Sequence, residues 1–361
     1  MSEYYQLPMD HPATVQFLLD HNQRQSEIFR GPDATGERRV YRINHPTEIA
    51  ALKCMDGRLN LSVMTEVEPG IIQPFRNIGG KFDIGWPYFG AVFQGWVDYS
   101  NSRGRKCLVL VTYHFSKGSE HRGCAGHSYD TAAAHACANE LRNQIERVFG
   151  DRHTVVYPIV VGIETDEDGL ILHGEKEMID LASMPNLTGE EELWHRIAQL
   201  YPDMDTRMVS DLMPLLRGNL RHIAKIRAMK RPLSDAEHRE HILAVGRGFD
   251  WLHLPNKALI IGPYSYNMDA PIATAGKLLL GNLRDGRINA KEGIVILSSA
   301  VYRDEAGFER PRAVEKATSL ARLTLDTLRE KVPELDNIHT LVGIVNENTR
   351  LFTPIPYEHT T

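Results

Sequence analysis

The sequence predicts an α/β protein of two similar modules, each a mainly parallel sheet flanked by helices. Residues 49–53 and 107–113 are almost wholly apolar, as buried parallel strands are. Within residues 130–149, apolar side chains recur at spacings of three and four, the stripe of a helix packed on a sheet. The strand-like residues 294–299 and 341–345 then repeat first-half strands at an offset of about 180 to 190 residues, which indicates a duplication.

These elements divide the chain into three predicted parts. Residues 1–45 form a helical lead-in, because apolar side chains there follow a loose helical period. Residues 46–205 form the first module, and residues 206–361 form the second. The boundary between the modules is predicted in residues 183–205, which are polar and contain prolines.

Composition restricts the class of protein. The 361 residues are 42% hydrophobic and 24% charged, so the chain can bury ordinary cores. The net charge of −6 gives no reason to expect nucleic acid. No apolar stretch is long enough for a membrane span, and the start lacks the pattern of a signal peptide. We therefore expect a cytoplasmic protein that binds neither nucleic acid nor membrane.

Three separated segments contain candidate metal ligands. Cys54 follows the first strand, His114 closes the second, and Cys124 lies shortly after it. Both strands are predicted to belong to one parallel sheet, and such sheets bind ligands at the carboxyl ends of their strands. Two thiolates and one imidazole form a catalytic zinc set, with a fourth position for a water molecule that becomes hydroxide near neutral pH.

Two alternatives remain open at this point. Cys54 and Cys124 could be ordinary buried thiols, as Cys107 and Cys137 are predicted to be. His121 stands three residues before Cys124 and competes with His114 as the nitrogen ligand; we favour His114 because it ends a strand.

Several motifs resemble the β-class carbonic anhydrases. The pattern Cys54-x-Asp56-x-Arg58 is similar to the first zinc motif of that class, and residues 68–80 are similar to the segment that follows it. Residues 113–116, 123–127 and 162–168 look most like the carboxysome shell carbonic anhydrase branch. The resemblance covers most of the chain, although Glu68 stands where some members have glutamine.

The resemblance implies reversible hydration of carbon dioxide to bicarbonate by zinc-bound hydroxide. Zn²⁺ is the expected cofactor, with Cys54, His114 and Cys124 as its ligands. Asp56 and Arg58 are expected to act beside the metal, Asp56 as an acceptor that orients the hydroxide and Arg58 as its fixed counter-ion. Asp56 could instead bind zinc in a closed form of the site. His121 and His127 are candidate proton shuttles.

The second module is predicted to lack a metal. Ala300 stands where His114 stands, and Val245 lies near the place of Cys54. The carboxysome shell branch is similar in having a degenerate second module. The fold class predicted is therefore two tandem β-carbonic-anhydrase-like modules, the second degenerate. By the same resemblance we expect a homodimer or higher homo-oligomer.

Other interpretations stay open. One alternative function is hydrolysis of carbonyl sulfide or carbon disulfide, which would use the same metal ligands. Another is a metal-stabilised assembly protein that has lost its catalytic activity. Carboxysome association is an alternative to a cytoplasmic location, and the long N-terminal extension of the branch is not recognisable here.

A basic stretch, residues 217–231, is predicted as a helix with a solvated face; the alternative is a surface for an acidic or phosphorylated partner.

Overall fold

The computed structural model describes residues 12–150, 152–184, 189–232, 237–252, 254 and 256–358. The chain divides into two compact units. The larger unit contains residues 36–237 and 264–266. The smaller unit contains the described residues up to Thr35 together with residues 238–263 and those from Asn267 onward. Residues 1–11, the start of the predicted helical lead-in, lie outside the described residues.

The first part of the chain alternates strands and helices in the order expected of an α/β protein. Its elements are α1 (Ala13–Arg30), α2 (Pro32–Asn44), β1 (Glu48–Cys54), α3 (Leu61–Met64), β2 (Ile72–Asn77), α4 (Pro87–Ser102), β3 (Cys107–Phe115), α5 (Thr131–Phe149), β4 (Val156–Glu164), β5 (Gly169–His173), β6 (Met178–Asp180), α6 (Glu190–Leu200) and α7 (Thr206–Met229).

The second part continues the alternation. Its elements are β7 (Ile242–Gly246), β8 (Ala258–Ile261), α8 (Asp269–Arg284), β9 (Ile294–Tyr302), α9 (Glu309–Lys331), β10 (Ile338–Asn346) and β11 (Phe352–Pro354). Among the described residues, none of the helices is both long enough and apolar enough to span a membrane.

The larger unit has a six-stranded sheet in the order β2-β1-β3-β4-β5-β6. The first four strands are parallel, and β5 and β6 are antiparallel to their neighbours. All but the last residue of β3 is buried, and β4 is buried throughout. This explains why these strands are continuous apolar runs in the sequence, since a parallel sheet is covered on both faces.

Helix α5 packs on this sheet through the predicted stripe. Asp130 caps its start by accepting a hydrogen bond from the Ala133 backbone N–H at 2.9 Å. Four apolar residues at these spacings are buried: Ala134, Ala138, Leu141 and Ile145. Val148, in the last turn of the helix, is exposed.

Helix α7 also packs within the larger unit. Asn219 is fully buried, accepts a hydrogen bond from the Leu170 N–H and donates to the carbonyl oxygens of Met64 and Asp168. Gly218 lies against the Thr65 carbonyl oxygen, where a Cβ would be only 1.7 Å from that atom. Helix α7 is therefore fixed against β5 and the segment after α3. The predicted domain boundaries after residues 45 and 205 differ from the limits of the compact units and stay a prediction.

The sheet of the smaller unit repeats the first one. Its order is β11-β10-β9-β7-β8, which matches β5-β4-β3-β1-β2 strand for strand, including the antiparallel fifth strand. Each sheet pairs a glycine of the sequence Val-Gly-Ile with its central strand, Gly162 with Tyr113 and Gly343 with Ser299. The prediction of two tandem α/β modules is confirmed.

This register identifies the residues of the second sheet that correspond to the candidate metal ligands of the first. Ala300 follows Ser299 as His114 follows Tyr113. Gly246 pairs with Ser299 and corresponds to Cys54, one residue after the predicted Val245. Neither side chain can bind a metal.

Candidate metal centre

The three candidate ligands converge at the carboxyl edge of the first sheet. Cys54 is the last residue of β1, and His114 is the last but one of β3. Because β1 and β3 are parallel neighbours, their carboxyl ends lie side by side. Cys124 returns to this edge after the loop that follows β3. All three side chains are buried, with exposures of 4%, 1% and 3% in that order.

The donor atoms are arranged as a single ion requires. The two sulfur atoms and the nearest imidazole nitrogen all lie within 4.8 Å of one another. The Sγ atoms of Cys54 and Cys124 are 3.9 Å apart. Two sulfurs each about 2.3 Å from a tetrahedral zinc ion would be separated by roughly 3.8 Å. The donor set therefore fits zinc in both chemistry and spacing.

His114 supplies an independent indication of a ligand. Both of its ring nitrogens are buried, and neither forms a hydrogen bond of ordinary geometry with the residues that the structure describes, although His114 lies near enough to Cys54 to lower the pKa of that thiol. Leaving a buried polar atom unpaired costs about 1–3 kcal/mol, so such atoms usually have a partner. A metal ion is the partner that the neighbouring sulfurs would also bind.

The pKa values of the two thiols are shifted in opposite directions. A hydrogen bond from the Cys124 thiol to the Cys54 sulfur lowers the pKa of Cys54 well below its ordinary value. The same hydrogen bond raises the pKa of Cys124 well above its ordinary value. Only a thiolate binds a metal, so metal binding would release the protons that this pair of thiols still holds.

The two candidate histidines lie in different environments. His121 belongs to a short helical turn, Glu120–Arg122, and its side chain is 77% exposed. It stacks edge-on with Tyr129 and lies 4.0 Å from the Glu120 carboxylate. His114 faces the two sulfurs, whereas His121 faces solvent. This geometry supports the strand-end histidine as the ligand.

Asp56 and Arg58 form a buried pair beside the thiols. Arg58 Nε donates to both carboxylate oxygens of Asp56, at 3.0 and 2.9 Å, and Arg58 Nη2 donates to Oδ2 at 2.5 Å. The backbone N–H of Arg58 also donates to Asp56 Oδ1 at 2.9 Å. Arg58 Nη2 further donates to the Arg122 carbonyl oxygen at 2.9 Å. The pair therefore links the segment after Cys54 to the segment before Cys124.

Arg76 braces the same segment from the neighbouring strand. Its guanidinium donates to the carbonyl oxygens of Cys54, Asp56 and Leu59. Lys53 Nζ donates to the same Leu59 oxygen at 2.9 Å. Arg76 thus acts on the backbone that positions Asp56.

A tight glycine turn closes the site on another side. Gly79 and Gly80 have φ values of 61° and 65°, which favour glycine. A Cβ on Gly79 would lie 2.9 Å from His127 Nε2, which forms a hydrogen bond with the Gly79 carbonyl oxygen at 2.9 Å. Burial lowers the pKa of His127. Of the two predicted shuttles, His127 is held against the turn and His121 is open to solvent.

Two carboxylates missed by the sequence analysis hold the loop between His114 and Cys124. Glu164, 1% exposed, accepts hydrogen bonds from the backbone N–H groups of Lys117, Asp166 and Glu167. Asp166 accepts from Ser116 Oγ, from the Gly118 N–H and from Arg122 Nε. The only signal in the sequence was the motif at residues 162–168, which carried the resemblance but no assigned role.

The basic stretch of α7 is occupied within the larger unit. Arg221 and Lys225 both donate to the Glu66 carboxylate, at 2.7 and 2.6 Å. Arg227 binds both oxygens of Glu167. Arg231, after the helix, binds the Asp168 carboxylate. These cations pair with carboxylates of the same chain, which favours the helix-face interpretation over a surface for a phosphorylated partner.

Comparison with known proteins gives a consistent set of similarities. The family model described as Carboxysome Shell Carbonic Anhydrase, catalytic domain, matches residues 91–229. A carboxysome shell carbonic anhydrase of Prochlorococcus marinus (strain MIT 9313) is 24% identical over 329 residues, covering 81% of this chain and 62% of that protein. One from Parasynechococcus marenigrum (strain WH8102) is 24% identical over 334 residues, covering 82% and 55%.

A third similar protein matches a shorter part of the chain. The carboxysome shell carbonic anhydrase of Hydrogenovibrio crunogenus (strain DSM 25203 / XCL-2) is 26% identical over 253 residues, covering 56% of this chain and 45% of that protein. The chain thus spans about half to three fifths of the length of these curated proteins. The family-model match includes His114 and Cys124, whereas Cys54, Asp56 and Arg58 precede it.

Proposed function

We propose that this chain, a relative of the carboxysome shell carbonic anhydrases, is a zinc-dependent carbonic anhydrase that catalyses the reversible hydration of carbon dioxide to bicarbonate. The resemblance predicted from the motifs is confirmed by the family model and by the curated relatives. One observation carries the proposal furthest. The buried His114 ring, which forms no hydrogen bond of ordinary geometry with the described residues, lies within 4.8 Å of two cysteine sulfurs, and the pKa of one of these thiols is lowered well below its ordinary value.

We assign Cys54, His114 and Cys124 as the protein ligands. When bound there, Zn²⁺ would supply the Lewis-acid activation that lets a water molecule lose a proton near neutral pH. Three ligands leave a fourth tetrahedral position for that water, as catalytic zinc sites require. The depressed pKa of Cys54 supports this assignment, because only the thiolate binds a metal.

Asp56 and Arg58 are proposed as the catalytic pair. Arg58 engages both oxygens of Asp56 and is itself buried, so it holds the carboxylate in one orientation. A fixed, ionised carboxylate near the open position can accept a hydrogen bond from the reacting oxygen and orient its lone pair towards carbon dioxide. Because both Asp56 oxygens accept from Arg58 here, the arrangement supports the orienting role over metal ligation by Asp56.

Proton release requires a group that can exchange with solvent. We propose His121 for this role, since its ring is largely exposed and its segment leads directly to Cys124. His127 is the weaker candidate, because burial lowers its pKa and its Nε2 is engaged with Gly79.

The other interpretations have less support. The curated relatives are named carbonic anhydrases, and no comparison favours hydrolysis of carbonyl sulfide or carbon disulfide. A lapsed assembly protein is disfavoured because Asp56 and Arg58 are both present and paired. We propose a homo-oligomer, to be tested by light scattering. We propose a cytoplasmic location, with carboxysome association as the alternative that the relatives' names support.

The decisive experiment measures carbon dioxide hydration and metal content on one purified sample. Stopped-flow detection of proton release, with zinc determined by mass spectrometry, should show activity proportional to bound zinc. Chelation should abolish the activity and zinc alone should restore it. A fully zinc-loaded sample without hydration activity would disprove the proposed reaction, and activity in metal-free protein would disprove the cofactor.

A further inference from the structure

The two cysteine side chains of the candidate metal centre contact each other through their sulfur atoms. Cys54 Sγ and Cys124 Sγ lie 3.9 Å apart, within hydrogen-bond distance for sulfur. A disulfide bond is about 2.05 Å long, so the two atoms would have to approach by roughly 2 Å to form one. Rotation of the two side chains about their Cα–Cβ bonds supplies movements of this size. The chain therefore holds two thiols that can be joined when no ion lies between them.

The segment of Cys124 is better able to move than the segment of Cys54. Cys54 is the last residue of β1 and is paired with Asn77 of β2. Cys124 lies between two short helical turns, Glu120–Arg122 and Ala125–His127, in the connection from β3 to α5. Residues of such connections shift more readily than residues paired within a sheet. We therefore expect the sulfur of Cys124 to make most of the approach.

The other two cysteines provide an internal reference. Cys107 begins β3, seven residues before His114, so roughly 23 Å of extended strand separates it from the metal edge. Cys137 lies within α5, and all four cysteines of the chain are free. Burial raises the pKa of Cys107 to about 11 and raises the pKa of Cys137 as well. Both thiols are therefore poor nucleophiles at neutral pH, because the thiolate is the reactive form.

We propose that Cys54 and Cys124 are a redox switch, in which a small peroxide oxidises them to a disulfide and the metal ion is released. The inference rests on the zinc site of the proposed function. One sulfur attacks an oxygen of hydrogen peroxide and becomes a sulfenic acid, and hydroxide leaves. The second sulfur then displaces a second hydroxide and forms the S–S bond. The two sulfurs give up two electrons, hydrogen peroxide takes them, and two protons from solvent convert both hydroxides to water.

The two states of the switch exclude each other. A sulfur in a disulfide carries no thiolate charge and does not bind the metal, so His114 remains as the single proposed ligand. A disulfide is uncharged and can stay buried without a counter-ion. Oxidation therefore converts the reduced, metal-binding site to one that has lost two of its three proposed ligands.

Burial determines which oxidant reaches the pair. Both cysteine side chains are almost fully buried. Hydrogen peroxide is small enough to enter during local fluctuations of the loop, whereas a bulky disulfide such as oxidised glutathione needs the site to open. We therefore expect hydrogen peroxide to oxidise the pair faster than oxidised glutathione does at equal concentration.

The test follows metal and thiols on one sample of the full-length, zinc-loaded protein. Hydrogen peroxide is added, zinc release is followed with a chromophoric chelator, and the sample is then unfolded in an alkylating agent for peptide mapping by mass spectrometry. We expect one zinc ion released for each disulfide formed, a link between Cys54 and Cys124, and alkylated Cys107 and Cys137. A dithiol reductant followed by zinc should restore both thiols and the bound metal.

The matched control is Cys137→Ser, which removes a thiol outside the pair. It should release zinc at the unmodified rate and form the same disulfide. The variant Cys124→Ser removes the second sulfur, so Cys54 should pass to sulfinic or sulfonic acid, which the reductant does not reverse. The peptide map of the unmodified chain decides the question even if this variant does not fold.

Three results would overturn the proposal. Zinc could be released while Cys54 and Cys124 carry sulfinic or sulfonic acids and no link joins them. The disulfide could instead involve Cys107 or Cys137. Zinc could stay bound at peroxide concentrations that oxidise Cys137. Failure of the proposed function is a different result, because a chain that binds no zinc would be recognised before any peroxide is added.

Discussion

Asp166 holds the loop between two proposed metal ligands, His114 and Cys124. The substitution Asp166→Asn therefore tests how this loop supports the site. The Asp166 carboxylate accepts from the Gly118 N–H at 2.7 Å through one oxygen and from Arg122 Nε at 3.0 Å through the other. Asparagine keeps one acceptor oxygen, so one of these hydrogen bonds is lost and Arg122 loses its charge partner. A neutral hydrogen bond contributes about 1 kcal/mol and a charge-assisted one about 1.5–3 kcal/mol, so the loss of one of the two should lower the free energy of unfolding by roughly 1–3 kcal/mol.

The effect should extend to the metal. Arg122 precedes Cys124 by two residues, and its carbonyl oxygen receives the Arg58 hydrogen bond. A loosened Arg122 therefore disturbs both a ligand and the Asp56–Arg58 pair. Substitutions of residues that orient ligands typically weaken metal affinity by about 10–100-fold, and we expect a loss in that range. Competition with a chromophoric chelator measures the affinity, and urea denaturation measures the stability.

A control separates loop positioning from general destabilisation. Glu66→Gln also removes a carboxylate with two cationic partners, but those partners, Arg221 and Lys225, lie on α7. This variant should lose some stability and keep its zinc affinity. Equal zinc affinities for Asp166→Asn and the unmodified protein would refute the positioning role of Asp166.

The acidity of Asp166 adds a pH dependence. Burial alone would raise its pKa, but hydrogen bonds from Arg122, Gly118 and Ser116 outweigh it and lower the pKa below the ordinary value. A carboxyl group with a lowered pKa in the folded state contributes stability above its unfolded pKa, about 3.9, and loses that contribution as the pH falls further. The Asp166→Asn variant should therefore differ from the unmodified protein at neutral pH and converge with it in acid.

The remaining predictions concern the metal centre itself. Each single substitution of a proposed ligand should remove most bound zinc and nearly all hydration activity: Cys54→Ser, His114→Ala and Cys124→Ser. By contrast, His121→Ala should keep its zinc. Asp56→Asn should retain zinc but lose activity by roughly a hundredfold, and full activity in this variant would exclude the orienting role. Metal analysis of the whole chain should give about one zinc per chain, and two per chain would contradict the reading of Ala300 and Gly246 as replacements.

Much of the fold was predictable because it depends on local patterns. Apolar runs predicted β1, β3, β9 and β10, and the spacing of apolar side chains predicted α5. The place of α7 was less accessible, because its fixation depends on contacts between distant residues. Asn219 reaches Met64 and Asp168, and Gly218 admits the Thr65 carbonyl oxygen. A single sequence gives no signal for such pairings.

The site shows the same division. The proposed ligands and the Asp56–Arg58 pair could be predicted, because their chemistry and their place at or near strand ends are specific. The supporting groups were not. Glu164 and Asp166 are ordinary acidic residues in the sequence, and only the fold shows that they hold the backbone of the ligand loop. The basic stretch of residues 217–231 shows the reverse. It is conspicuous in the sequence, but cations along it are paired with Glu66, Glu167 and Asp168.

Comparison of the two sheets shows which features of a site follow from strand order and which depend on the side chains. Identical strand order places a crevice at the same edge of each sheet, whichever residues line it. The metal centre cannot be regained in the second sheet by exchanging donors alone. Gly246, at the position of Cys54, has a φ of 133°, and a Cβ there would lie 1.9 Å from the Ser299 carbonyl oxygen. Its backbone has moved to a conformation that excludes a thiol, so the second module has diverged in its main chain as well as in its ligands.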